Sequence, residues 1–359
     1  MTTTAGSPAP ELPVRPGCPK RMVFGPCGGP TDAGRCEVAD HRCVFLDDPA
    51  PPWPHPVDVP PPRPGGLLEL AARRPVVLTD LTVTPFDPAS VRAVVSVLAP
   101  DSDAVLVGEH QNRPDLPPTQ LAGEVLAAGG RPWTTLACRD RNRLVLEQEL
   151  AGLALVGVDG VLCVTGDARG PGVRPGITQV FDVDGPRLTA MAARAGLSAA
   201  VPESPDAPPV DARPGRLLTK QRAGAALCVL NHVHSPARLR AFVAAARAVG
   251  VRLPFIAGVA VFTDERSARV LQAFPGLHLD DAVVRAVLGA SDPVEAGIAA
   301  AVEAARTALA VEGVVGVDLS GLGSDRGVLE GARVKAEVAR RIKEDTVHDT
   351  VRHPGEDTA

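Results

Sequence analysis

Four thiols stand close together near the start of the chain: Cys18, Cys27, Cys36 and Cys43, spaced C-x8-C-x8-C-x6-C. Thiolates grouped in this way can hold a tetrahedral Zn2+ ion or a [4Fe–4S] cluster. Disulfides would require an oxidising compartment, and the total of seven cysteines is odd. Gly25-Pro26 and Gly28-Gly29 flank Cys27 with turn residues, so the backbone can wrap a sulfur-rich site. A stretch this short buries little apolar surface of its own, and a bound metal is expected to order it. The plainer alternative is a segment of free cysteines packed on the rest of the chain. Cys138, Cys163 and Cys228 sit in apolar runs and read as core residues.

A second chemical signal is VLCVTGD, Val161–Asp167. An apolar run this short, bounded by glycines, reads as a strand buried on both faces. Its tip presents Gly166, which admits close approach of a ligand to the backbone, and the Asp167 carboxylate. His232 and His234 have H-x-H spacing without a recognisable third ligand, so surface or supporting roles are expected of them.

These residues need a scaffold, and the chain supplies its pattern. Residues 1–16 are rich in Pro, Ser and Thr and read as disordered. Residues 17–46 form the cysteine-rich module. Residues 47–66 are a proline-dense linker that can be neither helix nor central strand. From 67 to 343, short apolar runs alternate with helical ones. Strands are expected at Val76–Leu81, Ala104–Val107, Trp133–Ala137, Gly160–Val164, Leu197–Val201, Ala226–Leu230, Pro254–Gly258 and Val314–Leu319. Asp87, Asp140 and Ser235 are expected to cap helices, and the last helix to run Val328–Lys343 before a polar tail, 344–359. Eight such repeats suit an α/β fold of the (β/α)8 TIM barrel type, with catalytic groups at strand carboxyl ends. A doubly wound open sheet is the alternative.

Composition narrows the partners. A net charge of −5 gives no general attraction to nucleic acid or anionic membrane. No run of 18 apolar residues occurs and the start resembles no signal peptide, so a cytoplasmic protein is expected. No GxGxxG follows a strand, which argues against a separate nucleotide-binding domain.

LACRDRNR (Leu136–Arg143), VLCVTGD, VFDVD (Val180–Asp184), KQRAGAALCVLN (Lys220–Asn231) and GVVGVDLSGLGS (Gly313–Ser324), in this order, resemble the barrel of methylenetetrahydrofolate reductases. CPKRMVFGPCGG…GRCEV…RCVF resembles the cysteine-rich module that accompanies some of them. The resemblance implies hydride reduction of 5,10-methylenetetrahydrofolate to the 5-methyl form, with FAD across the strand tips and NAD(P)H or another reduced donor. It places a general acid at Asp80, where the family has the longer glutamate. It assigns Asp167 to folate or cofactor, Asn231 to substrate where the family has glutamine, and Lys220, with Arg216 nearby, to a cofactor phosphate. Thr165 and Gly166 fall on the cofactor-binding turn. Thr135, Arg139 and Asp140 end the third strand, where Thr135 would line the substrate site. Thr165 replaces a family arginine and the chain has no tyrosine, which predicts weak or absent FAD binding. The shortened side chains leave two further readings: a repurposed enzyme for another pterin or imine, or a non-catalytic, electron-relay subunit of a reductase complex. A homo-oligomer or a partner reductase subunit is compatible with each.

Overall fold

The computed structural model describes residues 12–352 apart from residues 32, 111, 170–172, 234, 274–276, 278 and 322, with side chains described as far as residue 345. Eight parallel strands close into a barrel in chain order: β1 (Val76–Asp80), β2 (Ala104–Val107), β3 (Pro132–Ala137), β4 (Gly160–Val164), β5 (Ser198–Glu203), β6 (Leu227–Leu230), β7 (Phe255–Val261) and β8 (Val314–Gly321). The chain is a (β/α)8 TIM barrel, and closure rules out the open sheet.

Helices α1 (Leu67–Ala71), α2 (Pro88–Leu98), α3 (Pro118–Ala127), α4 (Arg143–Val156), α5 (Gly185–Arg194), α6 (Arg213–Arg222), α7 (Pro236–Ala248), α8 (Glu265–Gln272), α9 (Asp281–Leu288), α10 (Pro293–Leu309) and α11 (Val328–Arg352) precede and surround the strands. Asp87 caps α2 by accepting from the amides of Ala89 and Ser90, and Ser235 caps α7. Asp140 does not cap α4. Asn142 does, accepting from Val145 N, because the Asp140 carboxylate is drawn to the guanidinium groups of Arg139 and Arg169. The closing helix continues past Lys343 to Arg352. No helix among the described residues is long and apolar enough to cross a membrane.

The barrel interior is filled by Val76, Leu78, Leu106, Trp133, Leu162, Val229 and Ile256. Leu67 of α1 closes the amino-terminal end, where Asp159 Oδ2 accepts from Leu67 N at 2.7 Å and Trp133 Nε1 at 2.8 Å. One buried carboxylate thereby ties the plug to the core, its desolvation offset by two donors.

The cysteine-rich module sits at the opposite end. Val23 N and Phe24 N donate to Asp184 Oδ2, the capping group of α5, at 2.9 and 3.2 Å. Phe24 and Trp53 pack at 4.7 Å on Ala190 and Ala223. The proline-rich linker then runs along α5 and α6, with Val57 N bonded to Arg222 O at 2.9 Å. Arg63 reaches Val158 O at 3.0 Å, and the linker ends under the barrel at α1.

Candidate active site at the carboxyl-terminal mouth

Because the strands are parallel, Asp80 at the end of β1, Asp167 just past β4 and Asn231 just past β6 share the carboxyl-terminal mouth. They stand on different parts of its rim, and each part has its own electrostatics.

On the β1–β8 side, β8 pairs Asp318 with Leu78, so Asp318 and Asp80 lie on the inner face of adjacent strands, one pleat apart. Asp80 is half-buried and Asp318 buried. Lys335 of α11 is buried beside them and donates to the Asp80 and Gly321 carbonyl oxygens and to Thr82 Oγ1. Burial pushes the Asp80 carboxyl up to about 6 against the pull of the Lys335 ammonium. Asp318 goes well above the usual range through burial and the nearby Asp80 charge. Neither Asp318 nor Lys335 was a sequence candidate. The signal for Asp318 was a carboxylate interrupting the apolar run of GVVGVDLSG. Lys335 sits among many charges on a polar helix and left no signal.

On the β5–β6 side, Glu203 ends β5 and is buried under three cations. Lys220 Nζ lies at 2.8 Å, Arg216 Nη1 at 3.2 Å and Arg213 Nη1 at 3.4 Å. Burial raises the Glu203 carboxyl, but these cations outweigh it, Lys220 most, and hold it near 2. Burial lowers Lys220 to about 8. Lys220 and Arg216 were expected on a cofactor phosphate. The structure gives both of them a buried carboxylate partner instead. Asn231 is exposed and donates from Nδ2 to Ser204 Oγ at 2.7 Å.

On the β2–β4 side a cleft of about 470 Å3 opens beside buried Thr135. Arg141 binds both oxygens of Glu109 at 2.8 Å, and Glu109 also accepts from Ala137 N. Arg169 and Asp140 pair at 2.7 Å in the same wall. Burial raises the Glu109 carboxyl against Arg141. Asp167 is exposed at this rim, and its carbonyl accepts from Arg139 Nη1 at 3.2 Å.

Between these sides the module covers the β4 tip. Lys20 Nζ donates to Gly166 O at 2.8 Å, and Thr165 Oγ1 contacts Met22 Sδ at 3.7 Å while accepting from Gly185 N at 3.2 Å. Thr165 and Gly166, expected to bind a cofactor, are therefore engaged by the chain itself. Lys220 and Arg216 are likewise paired with Glu203, while Asp167, the fifth residue expected at the cofactor, is exposed.

Cys18, Cys27, Cys36 and Cys43 line one cavity of about 20 Å3 with Glu37 and His41. Burial pushes the Cys18 and Cys43 thiols up, and the neighbouring Cys27 and Cys36 push them further. Such thiols ionise together only if a cation offsets their repulsion. All four are free thiols, and among the described residues no group of three or more His, Cys, Asp or Glu side chains is arranged to hold an ion. His232 bonds Ser320 Oγ at 2.7 Å, and burial lowers it to about 4. His234 lies outside the described residues.

A closed (β/α)8 barrel with ionisable groups on several strand tips defines a broad class of enzymes and small-molecule-binding proteins. Within it, residues 12–48 match the model of a family described as methylene-tetrahydrofolate reductase C terminal. In this chain the matched segment precedes the barrel, and it contains all four clustered cysteines. No curated protein matches the chain in sequence. Among solved structures, an uncharacterized protein from Clostridium thermocellum that binds two copies of 5-methyl-5,6,7,8-tetrahydrofolic acid superposes with a TM-score of 0.56 at 11% identity, over 78% of this chain and 100% of that one. Oxaloacetate acetylhydrolase in complex with oxalate gives 0.46 at 11% identity, over 85% and 91%. Tryptophan synthase from M. tuberculosis gives 0.46 at 14%, over 79% and 100%. At these identities the likeness is one of fold.

Proposed function

We propose that the protein binds a reduced folate at the barrel mouth and acts as a methylenetetrahydrofolate reductase-like oxidoreductase, converting 5,10-methylenetetrahydrofolate to the 5-methyl form. The observation that carries this reading is Asp80. It is a half-buried carboxyl on the first strand tip, raised to about 6, at the position where the resemblance expects the general acid. The matched segment 12–48 and the methyltetrahydrofolate held by a protein of the same fold support the substrate class.

The chemistry fits such a group. Opening the N5–CH2–N10 bridge requires a proton on N10, whose bond to carbon breaks with the electron pair going to nitrogen. Hydride from a reduced donor such as NAD(P)H then adds to the N5 iminium carbon. A carboxyl still partly protonated near neutrality supplies that proton, where an exposed aspartate would be ionised. Thr135 and the β2–β4 cleft offer polar walls for the folate, and Asn231 and Asp167 its rim. No step in this reading is routed through FAD.

Cys18, Cys27, Cys36 and Cys43 would hold Zn2+. Four thiolates are the ligand set of a tetrahedral zinc site, and the four side chains would draw together from their present positions to hold it. The ion would neutralise the thiolates and order the module. A second reading has one specific support, the module seated on the β4 tip: the chain would then be a docking or relay subunit whose partner performs the reduction.

Incubation of the purified protein with 5,10-methylenetetrahydrofolate and NADH or NADPH, with 5-methyltetrahydrofolate quantified, tests the activity. Turnover that Asp80→Asn abolishes without weakening folate binding supports the reading. Turnover unaffected by Asp80→Asn removes the acid. Absence of folate binding by calorimetry removes the substrate class. Folate binding without turnover, restored by a co-purifying reductase, favours the docking subunit.

A further inference from the structure

The proposed acid is not alone. Asp80 and Asp318 face the inside of the barrel on neighbouring strands, and Asp318 Oδ1 is buried without a hydrogen-bond partner. A buried carboxylate in that position would be charged, unsolvated and unpaired, which is costly. A buried carboxylic acid beside an ionised carboxylate needs only one charge in the pocket, and that charge faces the Lys335 ammonium. We propose that Asp80 and Asp318 share a single proton at neutral pH, with Asp318 the buried keeper and Asp80 the group that delivers it at the mouth.

The groups packed around the pair favour this arrangement. From β2, Leu106 pairs with Asp80 and brings no charge. From β7, Gly258 pairs with Asp318 and brings none either. From the segment after β6, His232 is bonded to Ser320 and lowered by burial, so it is neutral near pH 7. From α11, Lys335 is the nearby cation among the described residues, its ammonium held by three oxygen acceptors. One ammonium balances one carboxylate. The second carboxyl stays protonated, and burial together with the Asp80 charge pushes it up.

The inference rests on the folate reading for its substrate and on the geometry alone for the proton. During bridge opening, N10 takes the pair's proton through Asp80, and the N10–carbon bond pair goes to nitrogen. Both carboxylates are then left opposite Lys335, and water at the mouth returns the proton. Asp318 is thus a positioning residue: it never touches the substrate, but it keeps an acid available at a pH where Asp80 alone would be only partly protonated.

The test is a proton count on the whole protein. Infrared difference spectra at neutral pH are expected to show one protonated carboxyl in wild type, lost in Asp80→Asn and in Asp318→Asn, each of which leaves a single carboxylate to balance the Lys335 ammonium. The unfolding equilibrium is expected to shift toward unfolding tenfold per pH unit as pH rises from the ordinary aspartate range toward neutrality, a slope that Asp318→Asn reduces. Where the enzyme turns over, the rate in Asp318→Asn is expected to begin its tenfold-per-unit fall at a lower pH than in wild type. Should Asp318→Asn fail to fold, Lys335→Met serves: without its ammonium the pair is expected to keep protons to higher pH than wild type. Wild-type carboxyls that are both ionised at neutral pH, or a protonated signal that survives Asp318→Asn, overturn the shared proton. A confirmed proton count in a protein that does not bind folate overturns only the substrate.

Discussion

Arg213 Nη1 lies 3.0 Å from the Cys27 carbonyl oxygen and 3.4 Å from Glu203 Oε1. One buried guanidinium thus joins the cysteine-rich module to the carboxylate that ends β5. Lys20 makes a further tie, to Gly166 at the β4 tip. Module and barrel mouth are consequently mechanically continuous, and what orders one bears on the other.

Replacing Glu203 is expected to damage stability more than any exposed charge would. Glu203→Gln leaves Arg213, Arg216 and Lys220 buried without their anion, at a cost of about 3–5 kcal/mol. The pH dependence follows from a native carboxyl near 2. Its stabilisation is complete above the unfolded value of about 4.3, and is lost as pH falls from there toward 2. Urea unfolding at neutral and acid pH checks both: wild type loses stability through this window, and the variant has less to lose.

Asp80→Asn removes the proposed acid while keeping shape. The catalytic rate is expected to drop roughly 10²- to 10⁴-fold, the range of general acid catalysis, with folate affinity nearly unchanged. Steady-state rates and calorimetric Kd, taken together, separate loss of chemistry from loss of binding.

Metal removal addresses the module. Elemental analysis is expected to find one zinc per chain, lost in Cys27→Ser. Chelation should then raise amide exchange across residues 17–46 and at the β4 tip, through the Lys20 and Arg213 ties. Four titratable thiols in freshly purified protein with no metal would remove the zinc.

Gly160→Ala tests the packing of the barrel floor. A Cβ there would stand 2.5 Å from the Trp133 ring, on the strand paired with it. Overpacking of this kind costs about 1–3 kcal/mol. Thermal unfolding should show a lowered Tm without a change in Zn content.

The strand–helix alternation, its order and the closed (β/α)8 class were legible along the chain, because strands buried on both faces are written as continuous apolar runs and helix starts as Asp-Pro or Ser-Pro pairs. So was the gathering of the four cysteines. The helix Arg213–Arg222 was not: its inward stripe is Arg213, Arg216, Leu217 and Lys220, a charged face that apolar periodicity cannot reveal. Its purpose depends on Glu203, which is near in space and unremarkable in sequence. The proximity of Asp80 to Asp318 and Lys335 was equally hidden, since it arises only when β8 closes against β1 and α11 packs behind them. Residue types and local spacing are properties of the chain alone. Which charge neutralises which, and therefore which groups are left for chemistry, is decided by burial, and burial exists only in the folded barrel.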